Sequence, residues 1–294
     1  MKIAITGASG FIGTALVPSL RADGHEVLRL VRRPPTAPDE VSWDPRAGTV
    51  DMDRLAGVDA VIHLAGVGVG DKRWSDSYKA EILGSRVDGT TTIAHAVATL
   101  DPKPTVLISA SAIGYYGDTG DRAVDESARK GEGFLADVVE AWESSADEAR
   151  SAGVRVVHPR TGLVMAAKGG AWARLLPLVR LGVGGRLGNG RQYWSFITLA
   201  DELRALAFLL TADLSGPVNL TAPTPVTNAE VVKAMGRELH RPTVLAVPAF
   251  ALKTVLGEFS SEVLGSSRVL PTALLAAGFS YQHPDIDSAV KTLG

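Results

Sequence analysis

Apolar residues follow two different spacings at the start of the chain. The run Lys2-Ile-Ala-Ile-Thr6 is short and rich in β-forming residues, which indicates a strand. From Phe11 to Ala22 the apolar residues recur at helical spacing, and residues 26–31 return to a strand-like run that is ended by two Arg and two Pro residues. The first 35 residues therefore predict a strand, a helix and a second strand.

The same alternation continues to about residue 165. Strands are predicted at residues 59–66, 105–109 and 154–157, and helices at residues 76–100 and 134–152. Strands and helices that alternate in this way form a doubly wound parallel sheet with right-handed crossovers. The expected fold class is α/β, a Rossmann-type doubly wound parallel sheet with a smaller C-terminal substrate-side region.

The pattern changes after residue 165. Residues 169–195 are rich in Gly, Leu and Arg, and they are followed by a predicted helix at 200–212, a returning strand at 217–220 and a capped helix at 228–239. From residue 248 onward two helices are separated by Pro271. We expect three segments: a core at residues 1–165, a substrate-side segment at 166–246 that returns to this core, and a small helical module at 247–294.

Composition narrows the class of protein. The 294 residues are 46% apolar and 21% charged, as in an ordinary globular protein, and the net charge of −2 offers no field that attracts nucleic acid or an anionic membrane. The sequence has no Cys, which excludes disulfides and thiolate metal sites, and its six His lack ligand spacing. We find no signal segment and no run of about 18 apolar residues. We expect a cytoplasmic monomer or homodimer without a metal, nucleic-acid or membrane partner.

A glycine-rich loop connects the first strand to the first helix. Gly7, Gly10 and Gly13 permit a tight turn and let backbone N–H groups approach a pyrophosphate at the helix N-terminus. The alternative is a strand-to-helix turn without a ligand. The strand before the loop and the helix after it favour a dinucleotide site, whose residues are Gly7, Ser9, Gly10, Phe11, Ile12 and Gly13.

Two arginines end the second strand, where enzymes that use NAD usually carry an acidic residue for the ribose 2′-hydroxyl. The sequence here is Leu30-Val31-Arg32-Arg33, with no carboxylate. A guanidinium matches a 2′-phosphate and gains little from a hydroxyl, so Arg32 and Arg33 favour NADP as the cofactor. The alternative is a solvated basic loop end.

Several separated motifs point to a family. They are the glycine loop, Asp59-Ala-Val-Ile-His-Leu-Ala-Gly66, Ser109-Ala-Ser111, Gly114-Tyr-Tyr-Gly117, Trp142-Glu143, Gly190-Arg-Gln192 and Phe196-Ile-Thr-Leu-Ala-Asp201. With them the chain resembles the extended short-chain dehydrogenase/reductases, the NAD-dependent epimerase/dehydratase group. It is most similar to the atypical SulA-like epimerases, whose small C-terminal helical domain has no known function.

The resemblance implies further residues of a cofactor site. Leu64, Ala65 and Gly66 are expected beside the cofactor ribose and pyrophosphate, in agreement with the siting of ligands at the carboxyl ends of parallel strands. Glu81, Arg86, Ser109 and Val164 are expected near the cofactor as well. For Arg86 the alternative is a structural salt bridge with Glu81 or Asp88.

The catalytic pattern of the family is broken in this chain. Relatives that move a hydride use a Tyr and, four residues later, a Lys that lowers the phenol pKa. Phe134 and Val138 occupy these places. We expect local replacements, with Ser111 holding a substrate carbonyl and Tyr116 supplying the phenol. Ser109 and Tyr115 are the alternatives, a Tyr packed at the rim without a catalytic role is another, and Arg160 or Arg86 could supply the charge.

Two functions remain open from the sequence. The first is an NADP-dependent oxidoreductase or epimerase that acts on a small, sugar-like substrate with a hydroxyl or carbonyl group; Trp74, Gln192, Tyr193 and Trp194 are candidate pocket residues. The second is a non-catalytic regulatory or redox-sensing protein that binds NADP. The lost Tyr and Lys favour the second function, whereas the retained Ser pair and pocket aromatics favour the first.

Overall fold

A computed structural model describes residues 1–170 and 172–293, and the side chains of these residues except that of Arg174. A central sheet has the strand order β14-β9-β6-β5-β1-β2-β3-β4, and a further short strand, β7, pairs with β9. Its strand pairs are parallel except for the β3–β4 pair at one edge. This is the predicted Rossmann-type doubly wound sheet.

The strands of the central sheet are β1 (Lys2–Thr6), β2 (Glu26–Val31), β3 (Glu40–Asp44), β4 (Thr49–Val50), β5 (Ala60–His63), β6 (Val106–Ser109), β7 (Ser111–Ala112), β9 (Arg155–Thr161) and β14 (Gly216–Leu220). The strands outside it form four small pairs and are β8 (Ala123–Val124), β10 (Leu163–Met165), β11 (Gly185–Leu187), β12 (Tyr193–Trp194), β13 (Phe196–Thr198), β15 (Val226–Thr227), β16 (Leu245–Val247) and β17 (Arg268–Val269).

The helices lie on both faces of the central sheet and at its carboxyl edge. They are α1 (Phe11–Ala22), α2 (Met52–Leu55), α3 (Asp76–Thr99), α4 (Phe134–Ser144), α5 (Asp147–Ser151), α6 (Trp172–Arg180), α7 (Leu199–Leu209), α8 (Asn228–Glu238), α9 (Ala249–Leu256), α10 (Ser260–Leu264), α11 (Thr272–Ala276) and α12 (Ile286–Ala289). Among the described residues, no helix is long and apolar enough to cross a membrane.

The core is divided between the two faces of the sheet by the alternation of side chains along each strand. In β1, Ile3 and Ile5 pack with residues of α1 and α7, whereas Ala4 between them packs with residues of α3 and α5. Strand β5 repeats the pattern, since Ile62 joins the first cluster and Val61 the second. The sheet is therefore buried on both faces, and its carboxyl edge is the place where ligands can reach it.

The helix predicted for residues 134–152 is two helices in the structure. Helix α4 ends at Ser144, and α5 begins at Asp147. The hydroxyls of Ser144 and Ser145 donate hydrogen bonds to the carbonyls of Glu140 and Ala141, four residues earlier. Such back-bonding competes with the helical ladder and bends or ends helices.

The C-terminal residues are part of the main core. Leu274 and Phe279 belong to the same apolar cluster as Ile3 of the first strand. Strand β17 pairs with β8, and the amide Nδ2 of Asn219 at the sheet edge donates to the carbonyl of Leu270. The region from residue 247 onward is thus connected to the sheet by apolar packing and by the side-chain hydrogen bond of Asn219.

Candidate functional site

The glycine loop forms a close-packed turn at the carboxyl end of β1. Gly7 has a φ of 68°, and a Cβ there would lie 2.8 Å from the backbone of Leu64. A Cβ on Gly13 would overlap the carbonyl oxygen of Gly7 and lie 2.7 Å from the Cα of Ala8. Gly10 is the N-cap of α1 without a side-chain cap, and the first turn has no acidic residue. The first N–H groups of the helix are therefore left for an anion.

The loop is covered on one side by the segment that follows β10. A Cβ on Gly169 would overlap the ring of Phe11, and one on Gly170 would lie 3.2 Å from it. One on Gly170 would also lie 3.4 Å from the carbonyl oxygen of Val164. Two successive glycines thus let the backbone pass close to the Phe11 ring, which brings Val164 near the loop.

A buried hydrogen-bond network fixes the end of β5 against β1. The hydroxyl of Thr6 accepts the N–H groups of Leu64 and Ala65 at 3.1 and 3.2 Å and lies 2.7 Å from Nδ1 of His63. Because Thr6 uses its lone pairs on the N–H groups, its hydrogen goes to His63 Nδ1. Burial lowers the pKa of His63 to about 3, so the ring is a neutral structural part.

The two arginines after β2 have different surroundings. Arg33 forms two hydrogen bonds of 2.8 and 2.5 Å with Glu40, a buried residue of β3, and holds the pKa of that carboxyl well below its usual range. The side chain of Arg32 is exposed and has no hydrogen bond or ion pair with any residue that the structure describes. Arg32 is therefore the guanidinium that is free to meet a ligand at this strand end.

Arg86 and Glu81 lie on the same helix, α3, but on different sides. Arg86 Nη1 donates to the carbonyls of Val67 and Ile82 at 2.9 and 3.0 Å, and its guanidinium carbon lies 4.8 Å from the ring centre of Trp142. The structure shows no salt bridge between Arg86 and Glu81 or Asp88. Glu81 is exposed, and its carboxylate lies 3.7 Å from the ammonium of Lys72, in the loop between β5 and α3.

Ser111 is held by an ion pair at the ends of β6 and β9. Its hydroxyl donates to Glu143 Oε1 at 2.6 Å, and Arg160 binds both oxygens of Glu143 at 2.8 Å. Arg160 is only 3% exposed. Burial alone would raise the pKa of Glu143, but the hydrogen bonds and charge of Arg160 outweigh it and lower that pKa. Glu143 is thus ionised at neutral pH, and it fixes the direction of the Ser111 hydrogen.

Ser109 lies two residues earlier and is fully buried. Its Oγ has no hydrogen-bond partner within the described part of the chain. Ser109 is the last residue of β6 and is paired with His63 of β5, whereas Ser111 begins β7. Of the two serines, Ser111 has the ionic partner.

The two tyrosines of the turn after β7 both contact Arg160. Tyr116 is 2% exposed, and its hydroxyl donates to Asn219 Oδ1 at 2.8 Å and accepts from Arg160 Nη1 at 3.0 Å. Burial, partly offset by Arg160, raises the pKa of Tyr116. This geometry does not favour the prediction that Tyr116 exchanges a proton with a substrate, because its hydroxyl is enclosed and already used. The ring centre of Tyr115 lies 3.5 Å from the Arg160 guanidinium carbon.

Apolar and aromatic groups pack against the places of the missing Tyr and Lys, and the ammonium of Lys79 lies 4.9 Å from the ring centre of Phe134. Val138 is buried in a cluster with Trp74, Tyr78 and Ile82. The ring of Phe134 lies 5.0 Å from that of Trp74, which in turn lies 5.5 Å from Phe259 of the C-terminal region. The two positions of α4 thus carry no titratable side chain. Aromatic residues from three distant parts of the chain, Trp74, Phe134 and Phe259, pack together here.

A buried carboxyl lies below the end of β9. Glu202 of α7 accepts a 2.9 Å hydrogen bond from Thr161 through Oε1, whereas Oε2 is buried and has no partner among the described residues. Burial raises the pKa of Glu202 to about 8. This carboxyl is protonated at neutral pH, since no cation is paired with it in the described chain.

Most of the predicted site residues meet at one edge of the sheet. The glycine loop, the strand end Leu64–Gly66 and Ser111 lie at the carboxyl ends of β1, β5 and β6, Arg32 follows β2, and Val164 lies in β10 beside the segment that covers the loop. Thr6, Glu202 and Asn219 carry no sequence signal of their roles, and Glu143 has one only as part of a family motif. The pairing of a Trp-Glu motif in a helix with an Arg at a strand end was the available signal for the Glu143–Arg160 pair.

Comparison with known proteins gives the family. The sequence profile described as the NAD dependent epimerase/dehydratase family matches residues 3–220, and a domain of unknown function, DUF1731, matches residues 247–293. An epimerase family protein of Mycobacterium leprae is 48% identical over 291 residues, which are 98% of this chain and 94% of that protein.

Two solved structures extend the likeness to the fold. The human epimerase family protein SDR39U1, crystallised with NADPH, is 31% identical and has a TM-score of 0.90, with 99% of this chain and 98% of that chain covered. A nucleoside-diphosphate sugar epimerase of Corynebacterium glutamicum is 35% identical and has a TM-score of 0.80, with 100% of this chain and 58% of that chain covered. The chain therefore belongs to the NAD dependent epimerase/dehydratase family, as a member that also carries the DUF1731 domain.

Proposed function

We propose that this chain binds NADP and uses it for hydride transfer with a small substrate that carries a hydroxyl or carbonyl group. The observation that carries the proposal is the pairing of a glycine loop open to a pyrophosphate with an unpaired Arg32 at the end of β2. The human relative crystallised with NADPH supports the choice of cofactor. When bound, NADP accepts or supplies the hydride at its nicotinamide.

Ser111 is the residue that we assign to the reacting group of the substrate. Its hydrogen points to the ionised Glu143, so the lone pairs of its oxygen are left to accept a substrate hydroxyl. Glu143 has a lowered pKa and binds Arg160, which makes it a better anchor for Ser111 than a proton acceptor. In this proposal the Glu143–Arg160 pair acts through the position of Ser111, and the proton that the substrate hydroxyl loses on oxidation is released to water.

The non-catalytic NADP-binding protein remains a second candidate function. The observation that favours it is the apolar cluster around Val138 and Phe134, which leaves α4 without a proton-transferring side chain at the family positions. Such a protein would keep the cofactor site and lose turnover.

The cofactor assignment is tested by equilibrium titration with NADPH and NADH. We expect Arg32→Met to weaken NADPH binding by about 10- to 100-fold, the equivalent of one charged hydrogen bond, and to leave NADH binding unchanged. Arg33→Met is the matched control, because its guanidinium is bound to Glu40: it should lower stability and keep the preference for NADPH. Equal affinity of the unaltered protein for both nucleotides would contradict the proposal.

Hydride transfer is tested with the NADP⁺-loaded protein and mixtures of small alcohols and sugars, because the lone pairs of Ser111 can accept from a substrate hydroxyl. Appearance of reduced-nicotinamide fluorescence reports turnover, and Ser111→Ala should slow it without changing NADP⁺ affinity. If Ser111→Ala turns over substrate as fast as the unaltered protein does, Ser111 has no role in the mechanism. Tight NADPH binding with no turnover of any substrate would favour the non-catalytic function.

A further inference from the structure

Two segments of the chain expose most of its exposed large apolar side chains. Residues 177–188 lie at the end of α6 and in β11, and residues 240–256 include β16 and α9. Seven of the ten large apolar side chains that are exposed among the described residues lie in these two segments, and Val244, Leu181 and Phe250 are 87%, 75% and 74% exposed. Single apolar residues on a surface are ordinary, whereas a concentration of this kind marks an interaction surface.

The two segments lie side by side in the structure. Strand β11 pairs with β16, and the N–H of Gly188 just after β11 donates to the carbonyl of Val247 at 2.8 Å. Nε of Arg241 donates to the carbonyl of Arg180 at 2.8 Å, which joins the segments at their other ends. They therefore form one continuous surface.

Helix α9 shows how far this surface departs from an ordinary polar exterior. Six of its eight residues are apolar, the single charged residue is Lys253, and none of the eight is buried. A helix that is apolar on most sides is normally covered by a protein core or by lipid. The described part of the chain covers none of these side chains fully, so α9 has apolar area to offer to a partner.

Positive charge is concentrated on the same surface. Its exposed cations are Arg180, Arg186, Arg241 and Lys253, and the two segments contain no Asp and no Glu. None of the four forms an ion pair with a described residue; Arg180 and Arg241 donate to backbone carbonyls, which leave their charges uncompensated. The net charge of −2 is a sum over the whole chain and hides this local surplus. We call residues 177–188 and 240–256 the basic apolar surface.

The combination of charge and apolar side chains selects the kind of partner. A second copy of the chain would bring the same four cations opposite each other, because a two-fold contact pairs a surface with itself, and like charges so placed oppose association. A nucleic acid would meet the charges and leave Val244 and Phe250 in water. An anionic lipid surface complements both features, with phosphates for the cations and the acyl boundary for the apolar side chains.

We infer that the basic apolar surface binds the face of a membrane that contains anionic lipids. Val244 and Phe250 enter the boundary between headgroups and acyl chains, and the four cations lie against the lipid phosphates. This contact is peripheral, since no described helix is long and apolar enough to cross a membrane. Neither segment supplies the glycine loop, Arg32 or Ser111, so membrane binding and the proposed function can fail separately.

The test is co-sedimentation with vesicles of phosphatidylcholine alone and with vesicles of phosphatidylcholine and phosphatidylglycerol in equal amounts. We expect binding to the mixed vesicles that high salt weakens, and little binding to phosphatidylcholine alone. Phe250→Ser should weaken binding to the mixed vesicles about tenfold, because it removes a large apolar side chain from the contact. Arg186→Gln should weaken it about fivefold, because it removes one charge near the anionic surface.

Matched controls replace exposed residues of the same types outside the basic apolar surface. Leu275→Ser on α11 and Arg46→Gln in the turn between β3 and β4 should bind the mixed vesicles as the unaltered protein does. Phe250 and Arg186 are exposed and lie on different elements, α9 and β11. If circular dichroism shows that one of these two variants does not fold, the other decides.

Several results would overturn the inference. They are no binding to the mixed vesicles, binding that both Phe250→Ser and Arg186→Gln leave unchanged, and an equal loss of binding in the controls. A dimer in sedimentation velocity that Phe250→Ser dissociates would assign the surface to a second copy instead. Binding of polyglutamate without binding of vesicles would assign it to an acidic protein.

Discussion

The two sides of the carboxyl edge of the sheet are built in different ways. At the ends of β1 and β2 the site consists of backbone N–H groups, glycines without room for a Cβ, and one exposed arginine. At the ends of β6 and β9 it consists of one hydroxyl and two charged side chains that are largely buried and bound to each other, Ser111, Glu143 and Arg160. The first side depends on backbone geometry and the second on charge balance, and each can be disturbed separately.

The largest effect is expected from Glu143→Gln on the side built from charges. The substitution keeps the shape and leaves the 3%-exposed Arg160 without a counter-charge, which costs about 3–5 kcal/mol of unfolding free energy. Urea denaturation measures it. Glu140→Gln on the same helix is the control, because its ion pair with Lys130 is exposed and should contribute about 1 kcal/mol or less. A similar loss of unfolding free energy in both variants would show that the buried pair contributes no more to stability than the exposed one.

The next effect is expected from Gly13→Ala on the side built from backbone. Its Cβ would overlap the carbonyl of Gly7, so the loop must move; forced overpacking costs up to about 3 kcal/mol, which corresponds to roughly 100-fold in NADPH affinity. Fluorescence titration measures that affinity. Gly84→Ala in α3 serves as the control, since a Cβ there meets only an ordinary 3.8 Å contact with Asp88. Unchanged NADPH binding in Gly13→Ala would mean that the loop does not hold the pyrophosphate.

The smallest effect is a pH dependence that comes from Glu202. Its pKa of about 8 in the folded protein is above the ordinary value, so the folded state holds a proton that the unfolded state has lost, and stability falls as pH rises toward 8. At about 1.4 kcal/mol per pH unit, the loss between pH 6.5 and 8 is roughly 2 kcal/mol.

Thermal unfolding of Glu202→Gln across this pH range checks the prediction, because a neutral amide removes the dependence. Glu26→Gln, at an exposed position of β2, should retain the slope of the unaltered protein. A slope that is the same in Glu202→Gln would assign the pH dependence to other groups.

The same comparison explains what the sequence could predict. The fold, the glycine loop and the two arginines after β2 depend on local patterns, since apolar spacing and the need for glycine are properties of neighbouring residues. Which of the two arginines is unpaired was not predictable in this way, because Arg33 is bound by Glu40 of the next strand. The predicted fold class and family are confirmed. The predicted 134–152 helix was wrong at residues 145–146, where two serine hydroxyls compete for the helix carbonyls.

The network beyond β6 could not be predicted in the same way, because its members are distant in the chain. Ser111 and Glu143 are 32 residues apart, and Tyr116 and Asn219 are 103 residues apart. From the sequence alone, a tyrosine in a glycine-rich turn can be either a packed rim residue or a proton donor. The tertiary structure shows that the hydroxyl of Tyr116 is enclosed by Arg160 and Asn219. Partner choice of this kind depends on tertiary structure.

The contribution of Leu274 and Phe279 to the apolar cluster of β1 has a consequence for synthesis of the protein on the ribosome. Ile3 and Ile5 emerge among the first residues, yet the cluster that covers them is completed only by side chains more than 260 positions later. The nascent chain therefore keeps one face of its first strand incompletely covered for most of translation, and such exposed apolar surface is what chaperones bind.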